Sequence, residues 1–323
     1  MSSIPRAHHA TVTEFRHEAL LYRGPDELGL NLLPILRGAI DAGEAVLVAL
    51  DMEAVGRLRD ALGRASSRVA FVDMRNLGRN PARILPLWRA FASANTSAGR
   101  GALGVGEPVW PGRTDEELEE CELHESLLNV AFAGGPAWRL VCPYDVAHLS
   151  EGEIRIAFDT HPIVPGFPAS ADPVRLTNVP QRFHTPLGEP TVPVDHVVPF
   201  EGAQSLAGIR AMVSAHALEA GLDRDRAGDM VLAVSEVAAN SVRYGGGGGT
   251  LRIWRTRAAF VLEVSGRGRI HDPLVGRSTP EPLAEGRRGM WLANQLSDLV
   301  QVRSLDEGVV VRLHATLPAS VVA

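Results

Sequence analysis

Between His161 and Pro199 the chain carries nine prolines: Pro162, Pro165, Pro168, Pro173, Pro180, Pro186, Pro190, Pro193 and Pro199. Proline has no amide donor and a fixed φ, so this stretch can be neither an interior helix nor a central strand. It reads as a semi-rigid, partly extended linker and splits the 323 residues into two parts. Each part is long enough to bury its own core. The expected organisation is a tail at 1–14, a first domain at 15–161, the linker at 162–196 and a second domain at 197–317. A hydrophobic fraction of 45% with 22% charged residues is that of globular chains and argues against wholesale disorder. No internal repeat is visible.

All 32 basic residues are arginine, against 38 acidic ones, for a net charge of −6. Any mechanism that needs a lysine is excluded, and so is the lysine-bearing phosphate loop G-x-x-x-x-G-K-[ST]. Without a long basic run the chain is a poor general binder of nucleic acid. Cys121 and Cys142 cannot make a disulfide framework. The amino-terminal residues lack the apolar stretch of a secretory signal, and no run approaches the ~20 apolar residues of a membrane span. The expectation is a soluble, cytoplasmic protein with reduced thiols.

Before the linker, strand and helix patterns alternate. Residues 17–23, 44–50, 68–74, 101–107 and 138–144 are short runs rich in Val and Leu, suited to strands buried on both faces. Leu28, Leu32, Ile35, Leu36 and Ile40 recur at helical spacing, opened by Pro25, closed by Gly43 and expected to kink at Pro34. Further helices fit 51–63, 81–98 and 114–132. This alternation predicts an α/β domain with a parallel sheet covered by helices. After the linker, helices fit 203–220 and 225–243. A strand pair at 249–256 and 259–265 follows, then a loop to about Arg288, a helix at 289–297, and a pair at 299–304 and 308–315. That order predicts an antiparallel sheet with helices on one face, an α+β sandwich.

On the 225–243 helix Glu236 and Asn240 stand four apart, one turn from each other. A carboxamide can ligate Mg²⁺ through its oxygen, and a carboxylate can take a proton from an attacking hydroxyl. An isolated pair of this kind is equally what a solvated helix face offers. The surroundings add weight. Gly245 to Gly249 follow the helix, and Gly286, Arg287, Arg288 and Gly289 precede the next one. Glycines let backbone N–H groups approach an anion, a helix N-terminus attracts one, and arginines add charged donors. Tyr244, at the helix end, reads as core packing or as a neighbour of the ligand.

Residues 197–317 resemble the GHKL (Bergerat) ATPase superfamily, and within it the bacterial anti-sigma-factor serine/threonine kinases. LAVSEVAANSVRYGG is similar to the family's N-box, and EGRRGMWLANQLSD to its second glycine box. The resemblance implies ATP with Mg²⁺, Glu236 as catalytic base and Asn240 as magnesium ligand, with Gly266, Gly268, Gly286, Arg287, Arg288 and Gly289 around the nucleotide. It also implies a sigma factor and a phosphorylatable antagonist protein as partners, and a homodimer. One departure stands out. The family's first glycine box carries an aspartate, as in D-x-G, that accepts a hydrogen bond from the adenine amino group. In VSGRGRIHDP, Gly266 takes that place, and Asp272 lies six residues on. Losing such a charged hydrogen bond costs ~1.5–3 kcal/mol, roughly 10–100-fold in affinity. On sequence alone, Gly266→Asp is expected to raise ATP affinity about tenfold.

In the first domain, HEALLYRGPDEL, GEPVWPGR, ECELHESLLNVAF and CPYD resemble the methanogen/methylotroph, DcmR sensory (MEDS) domain. That resemblance implies a fold related to RecA-like ATPases, here without the phosphate loop, and a sensory role toward an unspecified small ligand. Glu107 ends a predicted strand, where parallel α/β sheets bind ligands, and Trp110, Arg113 and Tyr144 are candidates to line the same crevice. Trp110 and Pro111 equally suit a plain turn. Cys121 and His124, followed by Glu125, have C-x-x-H spacing, and Cys142 and His17 sit on neighbouring strands. They suit zinc or a related metal, or simply a buried thiol pair with capped histidines.

Three readings of the whole chain follow. One is a sensory domain controlling a GHKL serine/threonine kinase. The second is a partner-switching module that binds a sigma factor or antagonist independently of nucleotide, which Gly266 favours. The third, a two-component histidine kinase, lacks a phosphoacceptor dimerisation helix, since the Pro-rich linker stands in that place.

Overall fold

The computed structural model of the chain describes residues 14–168, 181–280 and 288–318. They pack into two compact units that do not follow the chain in simple order. The first comprises Met1–Asp73, Ala90–Trp110 and Phe132–Leu176; the second comprises Met74–Arg89, Pro111–Ala131 and Thr177–Ala323. Among the described residues no helix is long and apolar enough to cross a membrane.

The first unit holds a parallel five-stranded sheet in the order β1-β5-β4-β2-β3. Its strands are β1 (Arg16–Tyr22), β2 (Ala45–Leu50), β3 (Val69–Asp73), β4 (Ala102–Gly106) and β5 (Arg139–Asp145). Every residue of β2 and β4 is buried, as both faces of a helix-covered parallel sheet require. Helix α1 (Gly24–Asp41) starts on Pro25 and ends before Gly43, whose φ of 76° a side chain would strain. Pro34 lies inside α1, and the helix continues through it. Helix α2 (Met52–Leu62) is capped by Asp51, whose carboxylate accepts from the amides of Glu53 and Ala54, each at 2.9 Å. Leu32, Leu36, Val48, Leu50 and Val55 form the core beneath them.

Short α3 (Met74–Leu77), α4 (Ile84–Thr96) and α5 (Asp115–Phe132) complete the run between β3 and β5. Helix α6 (Glu151–Thr160) was outside the sequence expectation, although Ser150 and Glu153 form a full capping box at its start. Beyond α6, Ile163 bridges Glu18 beside β1, and the Ala19 amide donates to the Ile163 carbonyl at 2.9 Å.

The second unit holds an antiparallel sheet in the order β6-β7-β8-β10-β9. The strands are β6 (His196–Glu201), β7 (Gly248–Arg255), β8 (Ala259–Gly266), β9 (Leu299–Ser304) and β10 (Val309–Thr316). Helices α7 (Leu206–Glu219), α8 (Arg224–Tyr244) and α9 (Arg288–Leu296) belong to it. The sandwich is the one expected, apart from β6, whose Pro199 is tolerated because the strand lies at the sheet edge. Met230, Val234, Val237 and Ala238 of α8 join Leu251, Leu262, Val264 and Leu313 in one core, and Leu123 and Leu127 of α5 join the same cluster.

The sheet also carries a buried polar layer. Glu263 takes both nitrogen arms of Arg312, at 2.8 and 2.6 Å, and accepts from Arg252 at 2.9 Å. These residues face one another across β7, β8 and β10. Next to them Glu120 of α5, fully buried, holds Arg303 at 2.6 Å and Arg277 at 3.2 Å.

Candidate nucleotide site

Helix α8 gives the site its first wall. Asp223 caps it by accepting from the Arg226 amide at 2.8 Å, and Ala227, Met230, Val234, Val237 and Ala238 bury one stripe. Glu236 and Asn240 are left half-buried on an adjoining face, one turn apart. Helix α9 supplies the second wall, with Gly289 buried in its first turn. A methyl group on Gly289 would lie 2.8 Å from Glu236 Oε2 and 3.1 Å from Asn240 Nδ2. A side chain at position 289 would make the Glu236 and Asn240 side chains shift. The two motifs, more than 40 residues apart in sequence, therefore meet, with the positive end of a helix facing the carboxylate.

Beside this junction lies a cavity of ≈170 Å³, bounded by Asn240, Ser241, Gly266, Gly268, Ile270 and Met290. A larger depression of ≈510 Å³ adjoins Phe200, Gly248 and Gly308. It touches neither Glu236 nor Asn240, whereas the smaller cavity reaches Asn240, though not Glu236. Tyr244 is 62% exposed and lines that cavity, so it is not the core residue that the sequence allowed.

Gly266 has a physical reason. A Cβ there would meet Ser241 Oγ at 2.0 Å, and Ser241 donates to the Gly248 carbonyl at 3.0 Å. Gly268 is similarly confined, with Gly245 Cα and the Tyr244 carbonyl each 3.2 Å from the point a methyl group would occupy. An aspartate at position 266 has no room while Ser241 occupies that space, so Gly266→Asp alone does not restore an acid to the cavity. Asp272 does not replace it: its carboxylate accepts from the Leu274 amide at 2.9 Å, closing its own turn. Nothing about Ser241 in the sequence marked it as the partner of Gly266. Arg288 is exposed at the start of α9, whereas Gly286 and Arg287 lie outside the described residues.

In the first unit Glu107 follows β4 and is buried, its amide donating to the Ala49 carbonyl of β2 at 3.2 Å. Tyr22, at the end of β1, donates to Glu107 Oε1 at 2.6 Å. Burial and the neighbouring Glu107 carboxylate push the Tyr22 phenol upward, so it remains a donor. Tyr144 instead packs edge-on against His161, ring centroids 5.6 Å apart. Burial, with His17 alongside, holds the His161 imidazole well below its usual pKa and therefore neutral. Trp110 is half-buried. In the second unit Arg113 donates to the Gly78 carbonyl at 2.6 Å. Cys121, on α5, has a thiol pushed up to about 12 by burial, which makes it an unreactive core group. His124 and Glu125 are buried on the same helix.

Comparison with known proteins divides the chain in the same places as its motifs. Residues 16–162 match the family model of the MEthanogen/methylotroph, DcmR Sensory domain, and residues 200–315 match that of the histidine kinase-like ATPase domain. No curated protein matches the chain. Among solved structures, the RsbU and RsbW domains of Rv1364c from Mycobacterium tuberculosis align at 18% identity with a TM-score of 0.30. That alignment covers 40% of this chain and 34% of the other, so the chain spans about a third of that neighbour's length. The chain carries an N-terminal MEDS domain and a C-terminal histidine kinase-like ATPase domain.

Proposed function

We propose that the protein is a partner-switching regulator, in which the MEDS domain senses a small ligand and the ATPase domain acts as a GHKL-type serine/threonine kinase. The observation that carries this reading is the approach of Gly289 to Glu236 and Asn240. It sets the backbone at the start of α9 against an acid and an amide, an arrangement that suits a metal-bound nucleoside polyphosphate. Asn240 would hold Mg²⁺ through its carbonyl oxygen, and the first amides of α9 would take phosphate oxygens. ATP, when bound, supplies the phosphoryl group. Glu236 Oε2 would accept the proton of the attacking serine hydroxyl. The partners in this reading are a sigma factor and its antagonist protein, engaged by a cytoplasmic homodimer.

A second reading is favoured by one observation, the Ser241–Gly266 contact that leaves no acid to receive the adenine amino group. In it the domain binds its sigma factor or antagonist with little or no help from nucleotide. Titration calorimetry with ATP·Mg²⁺ separates the two. The first reading expects micromolar-to-millimolar binding, with Glu236→Gln abolishing phosphotransfer to an antagonist while sparing that binding. Absence of heat with any purine nucleotide rejects it in favour of the second.

A further inference from the structure

Outside the nucleotide site, the first unit gathers nitrogen and sulfur donors at one point. The parallel register sets Ala19 of β1 opposite Cys142 of β5, so His17, two residues before Ala19, shares a sheet face with Cys142. Cys142 Sγ and His17 Nε2 are 3.4 Å apart. His161 arrives from the end of α6, because the Ile163 bridge to Glu18 pins the chain beside β1 two residues later. Its ring centroid is 4.0 Å from that of His17. The three side chains are at most 2% exposed, and their ligand atoms lie within 4.8 Å of one another.

The proton positions are fixed by the neighbours. His161 Nδ1 lies 3.0 Å from the Ala157 carbonyl and 3.0 Å from Thr160 Oγ1. Thr160 has already spent its hydroxyl proton on the Ile156 carbonyl, at 2.6 Å. Both neighbours of Nδ1 are therefore acceptors, so Nδ1 carries the proton and Nε2 keeps its lone pair. A backbone carbonyl orienting the far nitrogen is the usual outer support of a metal-bound imidazole. Zn–S near 2.3 Å and Zn–N near 2.0–2.1 Å at the tetrahedral angle place sulfur and nitrogen about 3.5 Å apart. The 3.4 Å separation of Cys142 and His17 meets that requirement without movement.

We propose that Cys142 Sγ, His17 Nε2 and His161 Nε2 form a binding site for a zinc-class divalent metal ion in the sensory domain. A thiolate with two imidazoles selects zinc, cobalt or a similar borderline ion over magnesium or calcium. The Cys142 thiol releases its proton on binding and becomes the thiolate, so a single positive charge remains in the buried site. A fourth donor completes the tetrahedron. The proposal replaces the C-x-x-H pair of the sequence reading with a set drawn from two strands and a helix end.

The test uses the full-length chain, stripped with a chelator and titrated with Co²⁺. Expected are one equivalent bound, intense visible bands of tetrahedral cobalt, and a near-ultraviolet thiolate-to-cobalt charge-transfer band, all displaced by Zn²⁺. Cys142→Ser removes the charge-transfer band, and His161→Gln weakens Co²⁺ binding by more than ~10-fold, the least that disturbing a metal-bound histidine costs. His148→Gln, on the exposed surface, changes neither. Circular dichroism establishes that each variant is folded; should one not fold, the wild-type cobalt spectrum decides alone. A folded wild-type chain that takes up no Co²⁺, or a charge-transfer band that survives Cys142→Ser, overturns the proposal and leaves a thiol–imidazole pair of purely structural use.

Discussion

A hydroxyl and a missing methyl group decide what the cavity beside Asn240 can hold. Ser241 Oγ fills the space that any side chain at position 266 would enter. Gly266→Asp alone is expected to leave ATP affinity unchanged or lower, because the new Cβ displaces Ser241 from its bond to the Gly248 carbonyl. Ser241→Ala combined with Gly266→Asp clears the space, and calorimetry should then show ATP binding at least about tenfold tighter than in the wild type. Equal affinities for the double variant and the wild type would mean that position 266 does not face the base. The Glu236–Asn240 pair was legible from its spacing on one helix. Ser241 and His161 were not, because each matters only through a neighbour brought near by folding. A serine after an asparagine, or a histidine before a proline, carries no mark of that in one dimension.

Helices and strands were legible wherever local chemistry agreed with the final packing. The apolar runs of β2 and β4, the Asp51 cap and the Gly43 stop all say locally what the fold does. Strand β6 was hidden by Pro199, which argues against a strand unless its place at the sheet edge is known. Helix α6 was missed although its capping box was in plain view at Ser150 and Glu153. Helix α5 was found at the right residues, but its packing partner was not. Glu120, one of its many acidic residues, is fully buried between Arg303 and Arg277. Removing that carboxylate takes an ion-pair partner from Arg277, already pushed down by desolvation, and from Arg303, which keeps Glu119 at 3.3 Å. Glu120→Ala should cost about 3–5 kcal/mol in urea unfolding, as breaking a buried ion pair does. A loss under about 1 kcal/mol would show that water reaches the arginines.

The stability of the molecule should also depend on mild acid. Burial, reinforced by the Arg312 guanidinium, pushes the His314 imidazole from 6.5 to about 4, with Glu116 and Asp298 opposing. Its ring meets Gln301 Oε1 at 3.2 Å. Between those two pH values the unfolded chain takes a proton that the folded chain refuses, so stability falls as the pH drops through that window. The loss attributable to this residue is at most about 3 kcal/mol, reduced by the solvent access of its half-buried edge. Unfolding curves at neutral and mildly acid pH should diverge less for His314→Gln than for the wild type; equal divergence would place the acid sensitivity elsewhere. At this scale the prolines suggest a division in two along the chain, but the assignment of 74–89 and 111–131 to the second compact unit was not legible. Those segments touch their partners only after long loops have closed. One of them bears on α9 directly. Asn80 donates to the Asn294 carbonyl at 3.0 Å, and Arg83 spans the carbonyls of Asn294, Gln295 and Ser297 at 2.8, 2.8 and 2.6 Å. The tail of the helix is thus gripped by sequence from the amino-terminal half, while its head abuts the acid–amide pair. A nine-residue rod clamped in this way has little slack: a displacement of the grip by a fraction of an ångström travels its length and arrives at Glu236 and Asn240, the proposed phosphate end.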